Sequence, residues 1–343
     1  MTHHGAFPTP VAVEGLPHRV TVYEVGPRDG LQNEQAMVPL DVKAEFVVRL
    51  LAAGLPLVEA TSFVRPSWVP QLADAEELME VLGAAGRRCP VLVPNERGLD
   101  RALALGLEHV AVFASATETF AQKNLNRSYD EQFAMFEPTV RRARDAGADV
   151  RAYLSMCFGD PWEGAVPIEA VVAAGQRLLD MGANQLSLGD TIGVATPGHV
   201  TAVVAAVAGA GGGGHRLALP FHDTDGQALA LAGAMGILPA GVGAHRLALH
   251  FHDTYGQALA NVYAGLQSGV STFDASAGGL GGCPYAQSAT GNLATEDLVW
   301  MLEGLGIDHG VDLDAVIETS LWMAGHVGHP SPSAVVRARA AQS

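Results

Sequence analysis

Short apolar runs alternate along this chain with longer segments in which apolar residues recur at helical spacing. The apolar runs are bounded by turn-forming residues and therefore predict strands. They read VTVYEV, PLVEATSF, CPVLVP, HVAVFAS, DVRAYLSM, NQLSLGD, a stretch that the chain writes twice, and STFDASAGG. The longer segments predict helices, and several end at glycine, as a left-handed C-cap requires. Strands that alternate with amphipathic helices indicate a parallel sheet covered by helices.

The number of strands favours a closed barrel. Eight strand–helix units in about 300 residues fit a (β/α)8 TIM barrel better than an open doubly wound sheet. No GxGxxG motif follows the first strand, which argues against a dinucleotide-binding fold. We expect a disordered or loosely ordered N-terminus over residues 1–18, the barrel over 19–306, and a C-terminal helical extension and tail over 307–343. In such a barrel the chemistry lies at the carboxyl ends of the strands.

The doubled stretch raises the question of which copy enters the barrel. HRLALPFHDTDGQALA starts at His215 and recurs thirty positions later as HRLALHFHDTYGQALA, with 14 of 16 residues identical. Pro220 of the first copy stands where the second has His250, and proline in a central strand removes a ladder amide. We therefore predict the second copy as strand seven and residues 211–244, flanked by glycine-rich segments, as an inserted partial repeat before it. His222 is then no metal ligand. Occupation of the seventh position by the first copy in some molecules is the alternative.

Composition narrows the class of protein. The chain has 343 residues, 48% hydrophobic, with 36 acidic and 20 basic side chains and a formal charge of -16, which argues against general nucleic-acid binding. Cys89, Cys157 and Cys283 fit neither a disulfide framework nor a zinc pattern, and this usage indicates a reducing compartment. Neither a signal peptide nor a membrane-spanning run is recognisable. We expect a cytoplasmic protein with no membrane or nucleic-acid partner.

Polar side chains gather where the predicted strands end. EVGPRDGLQNE presents Arg28 and Asp29 after the first strand, in what is either a site or an ordinary loop with a surface ion pair. Glu59 lies among apolar neighbours, so it needs a cation, and Arg28 is the partner we expect. In LALHFHDT, strand alternation puts His250 and His252 on one side. Two such histidines are more often satisfied core or surface residues than metal ligands, but the approach of Asp29 from the opposite rim favours a metal site.

Two further rim features are open to two interpretations each. The loop AGGLGGCPYAQSATGNLATED carries Cys283 among glycines and could close over a substrate, whereas a lone cysteine is commonly just a small buried hydrophobe. Asp190 ends the sixth strand, where it either serves the site or caps the next loop.

Five segments together resemble the 3-hydroxy-3-methylglutaryl-CoA lyase family. They are EVGPRDGLQNE, VEATSFVRPSWVPQLAD, SLGDTIGVATPG, HFHDTYGQALAN and GGLGGCPYAQSATGNLATEDLVWMLEGLGI. The resemblance runs from about residue 19 to about residue 325, interrupted near the repeat. Its cysteine-loop motif is highly specific to these lyases. RDG and HxH are shared with a wider superfamily of metal-dependent Claisen-type barrels that includes the isopropylmalate and homocitrate synthases.

The resemblance implies a retro-Claisen lyase of leucine degradation. Its substrate would be (S)-3-hydroxy-3-methylglutaryl-CoA and its products acetyl-CoA and acetoacetate. A divalent cation, Mg²⁺ or Mn²⁺, is implied, and a mixed oxygen and nitrogen donor set suits a six-coordinate ion. The implied metal ligands are Asp29, His250, His252 and Asn292. The residues to which it assigns catalysis are Arg28, Glu59 and Cys283. The group that takes the hydroxyl proton is open between His250, His252 and Asp29, and we name His250 as the catalytic candidate.

An anionic acyl-CoA requires local basic groups on this acidic protein. We expect Lys123 and Asn124 to bind the CoA, with Arg127 as a further candidate, and we interpret the arginines at 141–144 as a solvated helix face. The resemblance also suggests a homodimer, for which the helices after residue 306 are a possible contact surface.

Other activities compete with this reading. A lyase for a longer 3-hydroxy-3-alkylglutaryl-CoA fits the same motifs, since nothing in the sequence measures the length of the pocket. A condensing synthase is disfavoured by the GGLGGCPYA loop. The inserted repeat could also have impaired catalysis, leaving a barrel that binds CoA or metal.

Overall fold

One parallel sheet forms the centre of the molecule. The computed structural model describes residues 8–209, 243–282 and 291–341. The strands in these ranges are β1 (Thr21–Glu24), β2 (Leu57–Val58), β3 (Thr61–Ser62), β4 (Val91–Leu92), β5 (His109–Ser115), β6 (Asp149–Ser155), β7 (Gln185–Asp190), β8 (Leu247–Phe251) and β9 (Thr272–Ala275). They pair in the order β2-β1-β9-β8-β7-β6-β5-β4-β3, and every pairing is parallel.

The second predicted strand is split, and the split closes the barrel. β2 and β3 are the two halves of PLVEATSF; β2 pairs with β1, whereas β3 pairs with β4. Between them the Glu59 amide donates to the Glu24 carbonyl at 2.8 Å and the Ala60 amide donates to the Pro90 carbonyl at 3.0 Å. Both ends of the sheet therefore belong to one continuous segment. The predicted (β/α)8 TIM barrel is confirmed, with its second strand divided in two.

The second copy of the doubled stretch supplies the strand between β7 and β9. β8 carries LALHF of that copy, in register with β7 from Leu186 opposite Leu247 to Asp190 opposite Phe251. The first copy lies outside the described residues, so the predicted excursion of residues 211–244 stays a prediction.

Helices connect and follow the strands. They are α1 (Leu40–Ala52), α2 (Ala75–Gly86), α3 (Glu96–Ala104), α4 (Glu118–Leu125), α5 (Tyr129–Asp145), α6 (Ile168–Asp180), α7 (Pro197–Gly209), α8 (Ala258–Gln267), α9 (Thr295–Gly304), α10 (Leu313–Val327) and α11 (Ala334–Ala340). The hydrophobic pattern did not single out α4, a short helix on the rim between β5 and α5. None of the helices in the described ranges has the length and apolarity that crossing a bilayer requires.

Helix α5 illustrates how local sequence and core packing agree. Ser128 accepts from the Glu131 amide and Glu131 accepts from the Ser128 amide, which is a complete capping box. The inward face of the helix buries Phe133 and Phe136 completely. A capped helix with an apolar face is thereby held against β5 and β6.

A buried carboxylate joins the carboxyl end of β1 to the segment that follows β9. One oxygen of Glu24 accepts from the amides of Gly26 and Ala277 at 2.8 and 2.9 Å, and the other accepts from the Thr295 hydroxyl at 2.6 Å. Burial raises the pKa of Glu24 to about 7, against these hydrogen bonds, which lower it.

A second buried carboxylate supports the same corner. Glu296 accepts hydrogen bonds from the Gly278 amide and the Ser320 hydroxyl. Burial raises the pKa of Glu296 to about 8 against the hydrogen bonds, and the nearby Glu24 contributes in the same direction. The turn after β9 is therefore fixed by groups that ionise only at a free-energy cost.

The pH dependence of stability tests this corner. Because the pKa of Glu296 is about 8 in the folded state and near 4.5 when unfolded, the folded state binds more protons between these values, so the free energy of unfolding falls as pH rises through them. Glutamine does not ionise. We expect Glu296→Gln to gain stability relative to wild type, on the order of a few kcal/mol, as pH rises from about 5 to about 8.5.

Urea unfolding at several pH values measures this difference. The control is Glu77→Gln, which changes an exposed carboxylate on α2. Parallel stability profiles for wild type and Glu296→Gln would contradict the prediction.

Candidate active site

A cleft of about 700 Å³ opens at the carboxyl ends of the strands. Its walls come from segments that follow different strands, among them the loops after β1, β3, β5 and β8. The residues that line it include the polar side chains of Arg28, Asp29, Tyr153, His250 and His252, together with Phe120, Asn124 and the exposed Met37 and Trp68. The cleft lies where a TIM barrel carries its chemistry.

A single wide helical turn presents the first two of these residues. Gly26–Gly30, with sequence GPRDG, forms a π-helical turn in which the amides of Asp29 and Gly30 both donate to the Val25 carbonyl, at 2.7 and 3.1 Å. Such turns are rare and frequently occur at functional sites. The turn directs consecutive side chains, Arg28 and Asp29, toward the cleft.

Arg28 is held by the carboxylate that the sequence suggested. Its Nε donates to Glu59 Oε1, and its Nη1 donates to Asp29 Oδ1. Arg28 is 7% exposed and Glu59 is fully buried. Although burial opposes it, the two carboxylates raise the pKa of Arg28, so the guanidinium stays charged. This is the pair expected from a buried Glu59.

Two tyrosines complete the coordination of Glu59. Tyr23 and Tyr153 both donate their hydroxyls to Glu59 Oε2, the former at 3.0 Å. Burial, and then the charge of Glu59, raises the pKa of both phenols, which keeps them protonated as donors. The Arg28 guanidinium also lies 5.3 Å from the centre of the Tyr153 ring. Arg28 is thus fixed in position by contacts on several sides.

A cluster with metal-binding geometry lies beside Arg28. Asp29, His250 and His252 each offer a ligand atom, and these atoms lie within 4.8 Å of one another. Asn292 joins them: its Nδ2 donates to Asp29 Oδ2 at 3.0 Å, and its backbone forms an isolated bridge with His252. At Gly281 a Cβ would lie 2.6 Å from Asn292 Nδ2, so the glycine permits this close packing.

The donor atoms fit a divalent cation. Asn292 Oδ1 and His252 Nδ1 are buried without a hydrogen-bond partner among the described residues, as expected of atoms reserved for an ion. Burial and then His250 lower the pKa of His252 to about 4, which leaves its imidazole neutral. Burial of Asp29 is outweighed by Arg28 and the histidines, so its pKa falls to about 2. Two imidazoles, a carboxylate and an amide oxygen form a mixed set suited to Mg²⁺ or Mn²⁺.

The barrel strands carry further polar residues that the sequence pattern did not identify as part of the site. Asp274 of β9 bonds His250 Nδ1 and Arg151 of β6, and Arg151 lies against the rings of Tyr23 and Tyr153. The available signal was a charged residue inside an apolar strand: DVRAYLS and TFDAS each contain one. Arg151 and Tyr153 also share the two-residue spacing of one strand face.

Asp190 and Cys283 are the other two candidate residues from the strand ends. Asp190 caps the next loop, accepting from the amides of Val194 and Ala195 at 2.9 and 3.0 Å. Burial raises its pKa to about 6, against those hydrogen bonds. The capping alternative therefore describes its contacts. Cys283 lies outside the described residues.

The basic candidates separate into two groups. Asn124, on the rim helix α4, lines the cleft. Lys123 lies on the same helix, and its ammonium is 4.9 Å from the centre of the Trp162 ring. The arginines at 141–144 instead form ion pairs or hydrogen bonds on the helix surface, as with Arg142 and Glu96 at 3.0 Å. This is the solvated face that the sequence suggested for them.

Comparison with known proteins gives consistent matches over most of the chain. The HMGL-like family matches residues 19–244 and 234–322. The mitochondrial hydroxymethylglutaryl-CoA lyase of Gallus gallus is 44% identical over 329 residues, 94% of this chain and 98% of that protein. That of Arabidopsis thaliana is 44% identical over 321 residues, 93% of this chain but 62% of its own length. The crystal structure of hydroxymethylglutaryl-CoA lyase from Pseudomonas aeruginosa is 40% identical with a TM-score of 0.84, covering 96% of this chain and 100% of that one.

The doubled stretch provides an internal control for the metal cluster. We expect His252→Ala to weaken Mn²⁺ binding at least about 10-fold, because it removes one member of the cluster. His222, the equivalent residue of the first copy and outside the described residues, is expected to tolerate the same change. Titration of each variant with Mn²⁺, followed by the electron paramagnetic resonance of the free ion, measures both affinities. Equal losses from the two substitutions would contradict the assignment of the second copy.

Proposed function

This chain belongs to the HMGL-like family, and from that premise we propose that it is a lyase that splits 3-hydroxy-3-methylglutaryl-CoA into acetyl-CoA and acetoacetate. One observation carries the proposal: a single cleft combines a metal-binding cluster with a buried, charged arginine beside it. A retro-Claisen cleavage needs both, because the hydroxyl group on C3 must lose its proton while negative charge develops on the thioester.

The first requirement is met by the cluster. We assign Asp29, His250, His252 and Asn292 as the residues that hold a divalent cation, Mg²⁺ or Mn²⁺. When bound, the cation would lower the pKa of the substrate's 3-hydroxyl and hold that group in a fixed position. The neutral His252 and the ionised Asp29 are already in the protonation states that ligands require. We propose that a carboxylate oxygen of Asp29 takes the hydroxyl proton, because a carboxylate keeps free lone pairs when it also binds an ion, and that His250 is the catalytic histidine in its role as a ligand of the cation.

The second requirement is met by Arg28. As the C2–C3 bond breaks, its electrons pass into the thioester and form an enolate, whose oxygen carries the charge. Arg28 stabilises that charge, and because Glu59 and Asp29 already fix the guanidinium, little reorganisation is needed during the reaction. Glu59 acts as the anchor of Arg28.

The enolate then takes a proton to become acetyl-CoA. We propose Cys283 as its donor, on the sequence of the glycine-rich loop that carries it. A loop of this composition closing over the cleft would also exclude water from a carbanion-like intermediate.

The acyl-CoA substrate extends from this centre toward the mouth of the cleft. We propose that Asn124 and Lys123 of α4 contact the CoA portion. Asn124 lines the cleft, and Lys123 adds a positive charge on that rim of an otherwise acidic protein. The exposed Trp68 and Met37 offer apolar surface at the same mouth.

The setting of the enzyme is proposed from the chain as a whole. We propose a cytoplasmic homodimer that serves leucine degradation, with residues 211–244 leaving the barrel before β8. The small number and wide spacing of the cysteines support a reducing compartment.

Incubation of the purified full-length protein with Mg²⁺ and the CoA ester tests the function. We expect release of acetyl-CoA and acetoacetate, and we expect Arg28→Met to lower kcat about 10²- to 10³-fold by removing the charge that faces the enolate. Arg19→Met, which removes an exposed arginine, is the matched control and should leave kcat unchanged.

Two outcomes would redirect the proposal. Tight binding of the CoA ester without acetyl-CoA release would indicate a barrel that binds ligand but no longer catalyses. Faster cleavage of esters with longer 3-alkyl groups would indicate the alternative substrate class.

A further inference from the structure

Sheet register places a buried carboxylate directly beside one histidine of the metal cluster. His250 of β8 and Asp274 of β9 are paired residues on adjacent parallel strands. His250 Nδ1 lies 3.2 Å from Asp274 Oδ2, and the Asp274 side chain is fully buried. The contact follows from backbone pairing, so it does not depend on the rotamer of a long or mobile side chain.

Asp274 is itself held on its remaining side. Arg151 Nη2 donates to Asp274 Oδ1, and the Ser187 hydroxyl donates to Oδ2 at 3.2 Å. An ionised carboxylate buried without a partner would be strongly unfavourable, and these donors, one of them cationic, remove that penalty. The direct ion pair with Arg151 favours the ionised form of Asp274.

Arg151 is fixed in its turn. Its guanidinium lies 4.0 Å from the centre of the Tyr23 ring and 4.9 Å from that of Tyr153, and its Nη1 donates to the Gln185 side chain. Stacking between two rings and a side-chain hydrogen bond leave the guanidinium little freedom. Tyr23 and Tyr153 thus hold Arg151, Arg151 holds Asp274, and Asp274 contacts His250. This series of contacts is a rigid support for His250.

The two cluster histidines differ in this support. His252 Nδ1 is buried with no hydrogen-bond partner among the described residues, whereas His250 Nδ1 faces a carboxylate. An ionised carboxylate only accepts hydrogen bonds, so the proton of a neutral His250 must reside on Nδ1. Its Nε2 lone pair is then the one available to an ion.

We propose that Asp274, held by Arg151, is a positioning residue that fixes His250 in the Nδ1-protonated tautomer with Nε2 as its metal-binding atom. The inference rests on the proposed function, because it concerns the cation that the lyase reaction uses. Asp274 does not touch substrate; it orients a ligand and raises its basicity, as carboxylates behind ligand histidines do.

Metal affinity of an isosteric variant tests the role. Asp274→Asn keeps the size of the side chain but offers His250 either an oxygen or an amide group, so the tautomer is no longer fixed. We expect Mn²⁺ affinity to fall about 10- to 100-fold, measured by electron paramagnetic resonance of the free ion. Asp160→Asn is the matched control: Asp160 is also buried, but it binds the Thr117 hydroxyl and loop amides away from the cluster. The control should retain wild-type affinity.

A second variant separates affinity from folding. Asp274→Asn leaves the Arg151 cation buried without its carboxylate, which by itself would destabilise the protein. The double variant Arg151→Gln/Asp274→Asn removes that cation as well, and circular-dichroism melting without metal reports whether it folds. A folded double variant with wild-type Mn²⁺ affinity would overturn the proposal.

A direct readout needs no change at Asp274. Long-range proton–nitrogen correlation spectra of metal-free protein with ¹⁵N-labelled histidine distinguish the two neutral tautomers, and His250→Gln identifies the relevant signals. We expect Nδ1 of His250 to carry the proton. A neutral His250 with its proton on Nε2 and none on Nδ1 would refute the inference whatever the variants show.

The failures of the two proposals are distinguishable. If wild-type protein shows no saturable Mn²⁺ binding, the metal site of the proposed function fails. If wild type binds Mn²⁺ and Asp274→Asn binds it equally well, only the role of Asp274 fails.

Discussion

Two carboxylates inside the barrel must each be paired with a guanidinium, and the site depends on that pairing. Glu59 and Asp274 are fully buried, and Arg28 and Arg151 neutralise them. Charges taken out of water destabilise a protein unless they are paired and hydrogen-bonded, so neither member of a pair can move freely. The same constraint that makes these groups costly to bury makes them precise supports: Glu59 fixes Arg28, and Asp274 contacts His250.

The split second strand is what brings one of these carboxylates inward. Glu59 lies between β2 and β3, where the chain stops pairing with β1 and begins to pair with β4. Its backbone closes the barrel while its side chain reaches Arg28 and two tyrosines. Barrel closure and anchoring of the arginine are therefore performed by the same residue, which couples the integrity of the fold to the geometry of the cleft.

Tyr153 connects the two halves of the polar interior. Its hydroxyl donates to Glu59, and its ring lies beside the Arg28 and Arg151 guanidiniums. The rings of Tyr153 and His250 are in an edge-to-face arrangement with their centres 6.4 Å apart. Arg28, which we propose to face the enolate, and His250 of the candidate metal cluster thus share a neighbour. The two halves are therefore in contact through packed and hydrogen-bonded side chains.

Sequence alone determined the barrel, the rim residues Arg28, Asp29, Glu59, His250 and His252, and the choice between the two copies. Periodicity and a single proline are local properties, so they can be read from neighbouring letters. Sequence left undecided the split of the second strand, the capping contacts of Asp190, and the partners Asp274 and Arg151. These features depend on which strands become neighbours and in what register. The role of a charged residue inside a strand can be assigned only when its partner is known. Arg151 and Asp274 are 123 positions apart in the chain, and only the folded structure brings them together.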